Sequence, residues 1–311
     1  MTYELREINE RIRQNVAQFV ADCDAAYHKK VEQAADLICG NLDISPVVLL
    51  SGPSGSGKTT TALKIEAELR RRGINTRTIS LDKYFKTVDF DTAPRTPEGE
   101  LCYESPLCLD MDLLNEHFTL LNEHREIRVP HFIFAEQRRS ASRFTPLKLG
   151  AREIAIFEGI HALNDEITDA HPEAFKLYVS ARSNIADGAE TVFKGTWMRL
   201  VRRVVRDNNF RASDAAFTMK LWANVRRGEK MYISPFKNRA DYQFDSTHPY
   251  EVGLLGQFAE PLFAAVPPGV ERAEELTHIL PAFSRFERVS ENIVAPTSLM
   301  REFIGGGAYE Y

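Results

Sequence analysis

Residues 47–72 constrain this chain more than any other stretch. Four apolar residues, Val47, Val48, Leu49 and Leu50, run into Ser51, Gly52, Pro53, Ser54, Gly55, Ser56, Gly57, Lys58, Thr59 and Thr60, after which Leu63, Ile65 and Leu69 set a helical period. A short buried strand, a glycine-rich turn and an amphipathic helix, in that order, give GxxxxGK(S/T) the context it needs to act as a phosphate-binding P-loop. The physical logic is anion capture. Residues without a Cβ let successive N–H groups turn toward phosphate oxygens, and the helix adds the positive end of its dipole. Residues 52–60 are therefore the expected nucleotide-binding set, with Lys58 reaching the terminal phosphates and the Thr59 hydroxyl placed to ligate Mg²⁺.

The rest of the chain is consistent with an α/β fold built around that strand. Apolar runs at 154–157 and 175–179 read as central parallel strands, and 75–81 as another that delivers Asp82 at its carboxyl end. Alternating strands and helices with the P-loop on the first strand predict a doubly wound, mostly parallel sheet flanked by helices. Segments 127–130, 132–134 and 144–148 read as a small β-hairpin excursion. A helix over 111–124 starts from an Asp110 cap, and a last strand is expected at 241–244 before a helix over 250–263. Within residues 1–40, Leu5, Ile8, Ile12, Val16, Phe19, Cys23, Tyr27, Val31 and Ala34 form an apolar stripe along one or two helices ending at Gly40. That stripe implies either a layer packed on the following domain or a dimerisation helix, so a homo-oligomer stays open. The expected division is an N-terminal helical extension (1–44), a P-loop domain (45–285) and a tail (286–311).

Composition excludes several partners. The 39 basic and 44 acidic residues leave a formal charge of −5, so no global field recruits nucleic acid. No apolar run has the length of a membrane span and no signal-peptide core precedes the first helix, which predicts a cytoplasmic protein without a membrane partner. Cys23, Cys39, Cys102 and Cys108 lack metal-binding spacing and read as free thiols.

Phosphoryl transfer needs a cradle, a metal, positive charge on the transferring group and a base for the acceptor. Lys58 and the loop supply the first. Thr59, with Glu158 at the end of a buried strand, suits the metal. Arg199, Arg202, Arg203 and Arg206 fall on the polar side of a helix over 197–208, opposite Trp197, Val201, Val204 and Val205, with Arg211 just beyond. They read either as a solvated face or as a cationic lid. Asp82 is a candidate base, although strand-end carboxylates also cap helices. The unpatterned stretch 86–109 reads as a functional loop.

In order and spacing, GPSGSGKTT (52–60), SLDKYF (80–85), FEGIHAL (157–163) and RLVRRVVRD (199–207) resemble the uridine kinase and phosphoribulokinase family, from about residue 47 to 263. VRRGE (225–229) and LMREFIGGG (299–307) resemble a bacterial uridine-kinase-like branch of it. The resemblance implies an ATP- and Mg²⁺-dependent kinase of a small-molecule hydroxyl. On that pattern Asp82 is the catalytic base, Lys58 holds the phosphates, Arg203, Arg206 and Arg211 form the lid, and Glu104, with Arg203, lies toward the substrate. Phe85, Phe132, Phe134 and Gln137 complete the substrate-binding set. The sequence departs from uridine kinases where a Tyr and a His read the base: Phe132 and Gln137 stand there, and Ser213 replaces a lid arginine. A uridine- or cytidine-type nucleoside acceptor is the first expectation, and a sugar phosphate, another polyol or a non-catalytic nucleotide-binding regulator the alternatives.

Overall fold

Alternation along the first buried strand sends its side chains to opposite sides of a sheet: Val48 and Leu50 enter one core, Val47 and Leu49 another. A strand buried on both faces needs cover on both, and the computed structural model, which describes residues 2–310, shows how it is supplied. The chain begins with β1 (Thr2–Glu4), α1 (Leu5–Asn41), β2 (Val47–Ser51), α2 (Lys58–Arg71) and β3 (Asn75–Ser80). It continues through α3 (Met111–Asn122), β4 (Ile127–Ile133), β5 (Arg138–Leu147), β6 (Glu153–Glu158), α4 (Asp165–Thr168) and β7 (Phe175–Ser180). Then come β8 (Asn184–Asp187), β9 (Glu190–Phe193), α5 (Gly195–Phe210), α6 (Ala215–Gly228), β10 (Tyr242–Asp245), α7 (Glu251–Ala264), α8 (Leu276–Phe283) and α9 (Arg301–Ile304).

The central sheet has five strands in the order β10-β7-β2-β6-β3, all neighbours parallel. This is the doubly wound sheet expected from the sequence. In such a sheet ligands gather outside the carboxyl ends of the strands, where β2, β3 and β6 deliver the P-loop, Asp82 and Glu158. Helices α1, α2, α5, α7 and α8 bury residues in one core, and α3 does so in the other. The hairpin β4–β5 is antiparallel and stands outside the sheet.

The stripe on α1 is buried against the same chain: Leu5, Ile8, Ile12, Phe19, Cys23, Tyr27, Val31 and Ala34 all belong to the larger core. The helix breaks at Asn15 (φ −163°, ψ 89°), so it runs as two segments. Gly40 does not end it. The last residue is Asn41, and the cap at Leu42 has right-handed helical angles. A second sheet, β1-β8-β9, had no sequence signal; its strands are three or four residues long, and β1 pairs in parallel with β8 across the whole P-loop region. The C-terminal stretch joins the core as well, through Leu299, Met300 and Phe303. All four cysteines are free thiols. Among the described residues no helix is long and apolar enough to cross a membrane.

Candidate active site

The loop between β2 and α2 is closely packed where its glycines lie. At Gly52 a Cβ would collide with the Val179 carbonyl oxygen, and at Gly57, the N-cap of α2 with φ +80°, it would lie 2.5 Å from Leu299 Cδ1. Ser246 Oγ donates to the Ser56 carbonyl at 2.6 Å. The Lys58 ammonium curls over the loop, 3.5 Å from the Pro53 carbonyl. Burial lowers its pKa, opposed by the Glu158 and Asp82 carboxylates.

Two of the arginines read as a polar face are structural. Arg199 donates two bonds to the Glu229 carboxylate (2.9 and 2.8 Å) and one to the Ser54 carbonyl (3.1 Å). Arg202 and Glu251 expose 0% of their side chains and bond at 2.5 and 3.0 Å, while the same guanidinium reaches the carbonyls of Gly55 (3.3 Å), Ser56 (3.4 Å) and Ser246 (2.9 Å). Helical periodicity placed these two residues away from the core. It could not register that Glu229 and Glu251, 30 and 49 residues downstream, supply buried counter-charges. The consequence is that the first half of α5, which carries Arg199 and Arg202, is tied to the P-loop, and Arg203 and Arg206 follow on the same helix.

The remaining arginines converge on one carboxylate. Asp207 takes Arg206 at 2.7 Å, Arg203 at 3.3 Å and Arg211 at 3.6 Å. Arg203 also donates to Ser54 Oγ at 2.7 Å, which brings it onto the loop itself. Three guanidiniums on one carboxylate leave an excess of positive charge beside the cradle, the electrostatic requirement for a polyphosphate. Asp207 was not singled out in the sequence, although its position four residues after Arg203 on the helix was the available signal.

Opposite stand the carboxylates. Asp82 lies in a 3₁₀ turn over Leu81–Tyr84, its N–H bonded to Ser80 Oγ at 3.3 Å. Burial raises its pKa, opposed by Lys58 and Arg211. Burial likewise raises Glu158, again against Lys58. Glu104 is pushed up to about 7 by burial, with Arg203 and Lys58 pulling the other way. Asp82, Glu104 and Glu158 thus share the field of Lys58. Among the described residues no three His, Cys, Asp or Glu side chains form a metal site of their own. Thr59 and Glu158 do line one cavity, and a hydroxyl beside a carboxylate suits Mg²⁺, which takes few protein ligands and completes its shell with phosphate and water.

A separate hollow of about 500 Å³ is walled by the loop after Asp82 and by the hairpin. Phe85, Phe132, Phe134 and Gln137 all line it. The three phenylalanines form an aromatic cluster with ring centroids 5.5, 6.4 and 5.1 Å apart. Gln137 has φ +52°, and its carbonyl accepts from the Val88 N–H at 2.9 Å, which ties the hairpin tip to the loop. Asp82 and Glu104 are not among the lining residues; Glu104 packs against Gly228 at the end of α6, and both carboxylates feel the Lys58 charge. Sequence reasoning assigned no role to Glu302, whose carboxylate accepts from the Thr60 hydroxyl, because 242 residues separate the two.

A glycine-rich loop between a parallel strand and a helix, flanked by convergent arginines and strand-end carboxylates, defines a P-loop protein of the doubly wound α/β class. The family model described as "Phosphoribulokinase / Uridine kinase family" matches residues 47–252, and the chain belongs to that family. A uridine kinase of Bacillus velezensis is 28% identical over 63% of this chain and 84% of its own length. One of Limosilactobacillus reuteri is 29% identical over 63% and 81%. A solved structure from Silicibacter sp. TM1040, described as a fructose transport system kinase, is 19% identical over 64% of this chain and 95% of that one, with a TM-score of 0.48.

Proposed function

We propose that this chain transfers the γ-phosphate of ATP to a hydroxyl of a small molecule, and that the acceptor is a nucleoside phosphorylated at its 5′-hydroxyl. The observation that carries the reading is the gathering of Arg203, Arg206 and Arg211 on the single carboxylate Asp207 beside Lys58, facing Asp82 and Glu104. In that arrangement the cations act on charge that develops on the transferring group. Asp82 accepts the proton of the acceptor hydroxyl, and the opposing pull of Lys58 and Arg211 keeps its ionised form accessible. Thr59 and Glu158 are the residues that would hold Mg²⁺, which when bound neutralises phosphate charge.

The nucleoside part rests on the aromatic hollow. Phe85, Phe132 and Phe134 offer the apolar faces on which a planar base stacks, and the Gln137 amide can both donate to and accept from a base edge. Lacking a His, that edge carries no positive charge, so base selectivity should be altered or relaxed relative to the uridine kinases. A sugar-phosphate or polyol acceptor is the second reading, favoured by Gln137 and by Ser213 in place of a lid arginine. Incubation with Mg²⁺-ATP and a panel of uridine, cytidine, sugar phosphates and polyols, scored by ADP release, tests the proposal. Turnover of a sugar phosphate with inert nucleosides would overturn the acceptor. Nucleotide binding without any turnover would make the chain a regulator.

A further inference from the structure

The P-loop has two ends, and they face different surroundings. At the Ser54 end stands Arg203, which is coupled electrostatically to Glu104 and the acceptor side. At the Thr59 end opens a cavity of about 610 Å³ that shares no lining residue with the aromatic hollow. Its walls come from two sources. Thr59, Glu158, Arg206 and Arg211 belong to the phosphate machinery, and the remainder, apart from Phe210, is the C-terminal segment with Arg301, Glu302, Gly305–307 and Tyr309.

That segment is built in place. Glu302 is buried and accepts from Thr60 on the first turn of α2. Arg301 donates to the carbonyls of Glu291 (2.9 Å), Val294 (2.7 Å) and Gly305 (3.2 Å), and the Ala308 N–H donates to the Pro296 carbonyl at 2.9 Å. Gly305 and Gly306 have φ of +85° and +67°, left-handed angles open to glycine, and lie against Phe210 and Arg301. A Cβ at Gly305 would lie 3.1 Å from Phe210, so the glycine leaves that ring's neighbourhood clear. Phe210 is 57% exposed, and Tyr309 lines the same cavity.

We propose that residues 301–309 form the subsite for the base and sugar of the nucleoside triphosphate donor, with the base lying against the Phe210 and Tyr309 rings. The proposal rests on the kinase reading above and extends it to a segment outside the family match at 47–252. A triphosphate along the loop must send its nucleoside away from the acceptor, and the cavity at the Thr59 end is the space that lies there. Its lining suits the ligand: aromatic faces for a planar heterocycle, and the Arg301 guanidinium as a charge outside the group assigned to the transferring phosphate.

The test compares Mg²⁺-ATP with Mg²⁺-tripolyphosphate, which has the phosphates without the nucleoside, by calorimetric titration of the full chain. Wild-type protein should bind ATP more tightly than tripolyphosphate. Tyr309→Ala should weaken ATP roughly 2- to 13-fold, the loss of one aromatic stacking contact, and leave tripolyphosphate unchanged. Tyr309→Phe should restore ATP binding, and melting curves should coincide for all three proteins. Unchanged ATP affinity in Tyr309→Ala, or equal weakening of both ligands, overturns the subsite. Wild-type protein that binds neither ligand instead overturns the nucleotide reading itself.

Discussion

Removing the Glu251 charge separates the stability of this fold from the geometry of its P-loop. The carboxylate and Arg202 are both fully buried and bond at 2.5 and 3.0 Å, and Glu251 also accepts from the His248 N–H at 2.9 Å. Glu251→Gln leaves the Arg202 cation without its counter-charge in the interior, a change that costs about 3–5 kcal/mol. For a domain of this size each kcal/mol lowers the melting midpoint by about 2–4 °C, so a fall of about 6–20 °C is expected in differential scanning calorimetry. The double variant Arg202→Met with Glu251→Leu carries the sharper outcome. Apolar replacement of a buried pair is often neutral or stabilising, so the midpoint should recover. Nucleotide affinity should not, since the carbonyls of Gly55, Ser56 and Ser246 lose their common donor. A Glu251→Gln protein that melts with wild type, or a double variant that binds ATP normally, would refute this account of how the loop is held.

Lys58→Ala should abolish transfer and weaken ATP binding with the melting midpoint little changed, as followed by ADP release and titration. Asp82→Asn should retain ATP binding while turnover falls by roughly 10²-fold or more, the scale of a lost general base; unchanged turnover removes Asp82 from the chemistry. Arg211→Ala should lower kcat more than it raises KM for ATP, because the guanidinium meets charge that appears during transfer. Glu104 gives a pH signature. Its carboxyl is raised from 4.5 to about 7, so the folded chain holds that proton more tightly than the unfolded one, and the stability it confers is present below pH 4.5 and lost as pH rises to about 7. Melting midpoints of Glu104→Gln and wild type should therefore diverge across that window in favour of the variant, and parallel curves would contradict the assignment.

What the sequence disclosed follows from the range of the interactions involved. The strands β2, β6 and β7 were legible because burial on both faces leaves continuous apolar runs, and the P-loop because its spacing is local. The Asp110 cap was legible for the same reason: its carboxylate accepts from the Leu113 N–H three residues on, at 3.2 Å. Arg199 and Arg202 were misplaced since charge normally marks a solvated face, and their partners come from distant elements. The β1-β8-β9 sheet went unseen because Thr2 pairs with Asn184, and no local pattern encodes such a contact. Asp82, Lys58, Glu158 and the α5 arginines were named as a group, but the shared carboxylate of Asp207 and the tail contact on Thr60 emerge only in three dimensions.

The bond between Thr60 and Glu302 also sets a timetable. The hydroxyl and the carboxylate that receives it are 242 residues apart, and at about 5–20 residues per second the ribosome needs roughly 12–50 s to deliver the second after the first. For that interval the loop exists as nascent chain without the segment that braces it, and Gly57 lacks the Leu299 side chain that packs against it. Nucleotide in the cell would then stabilise the finished protein and do little for the growing one, so chaperone dependence during synthesis should be insensitive to ATP binding at this site.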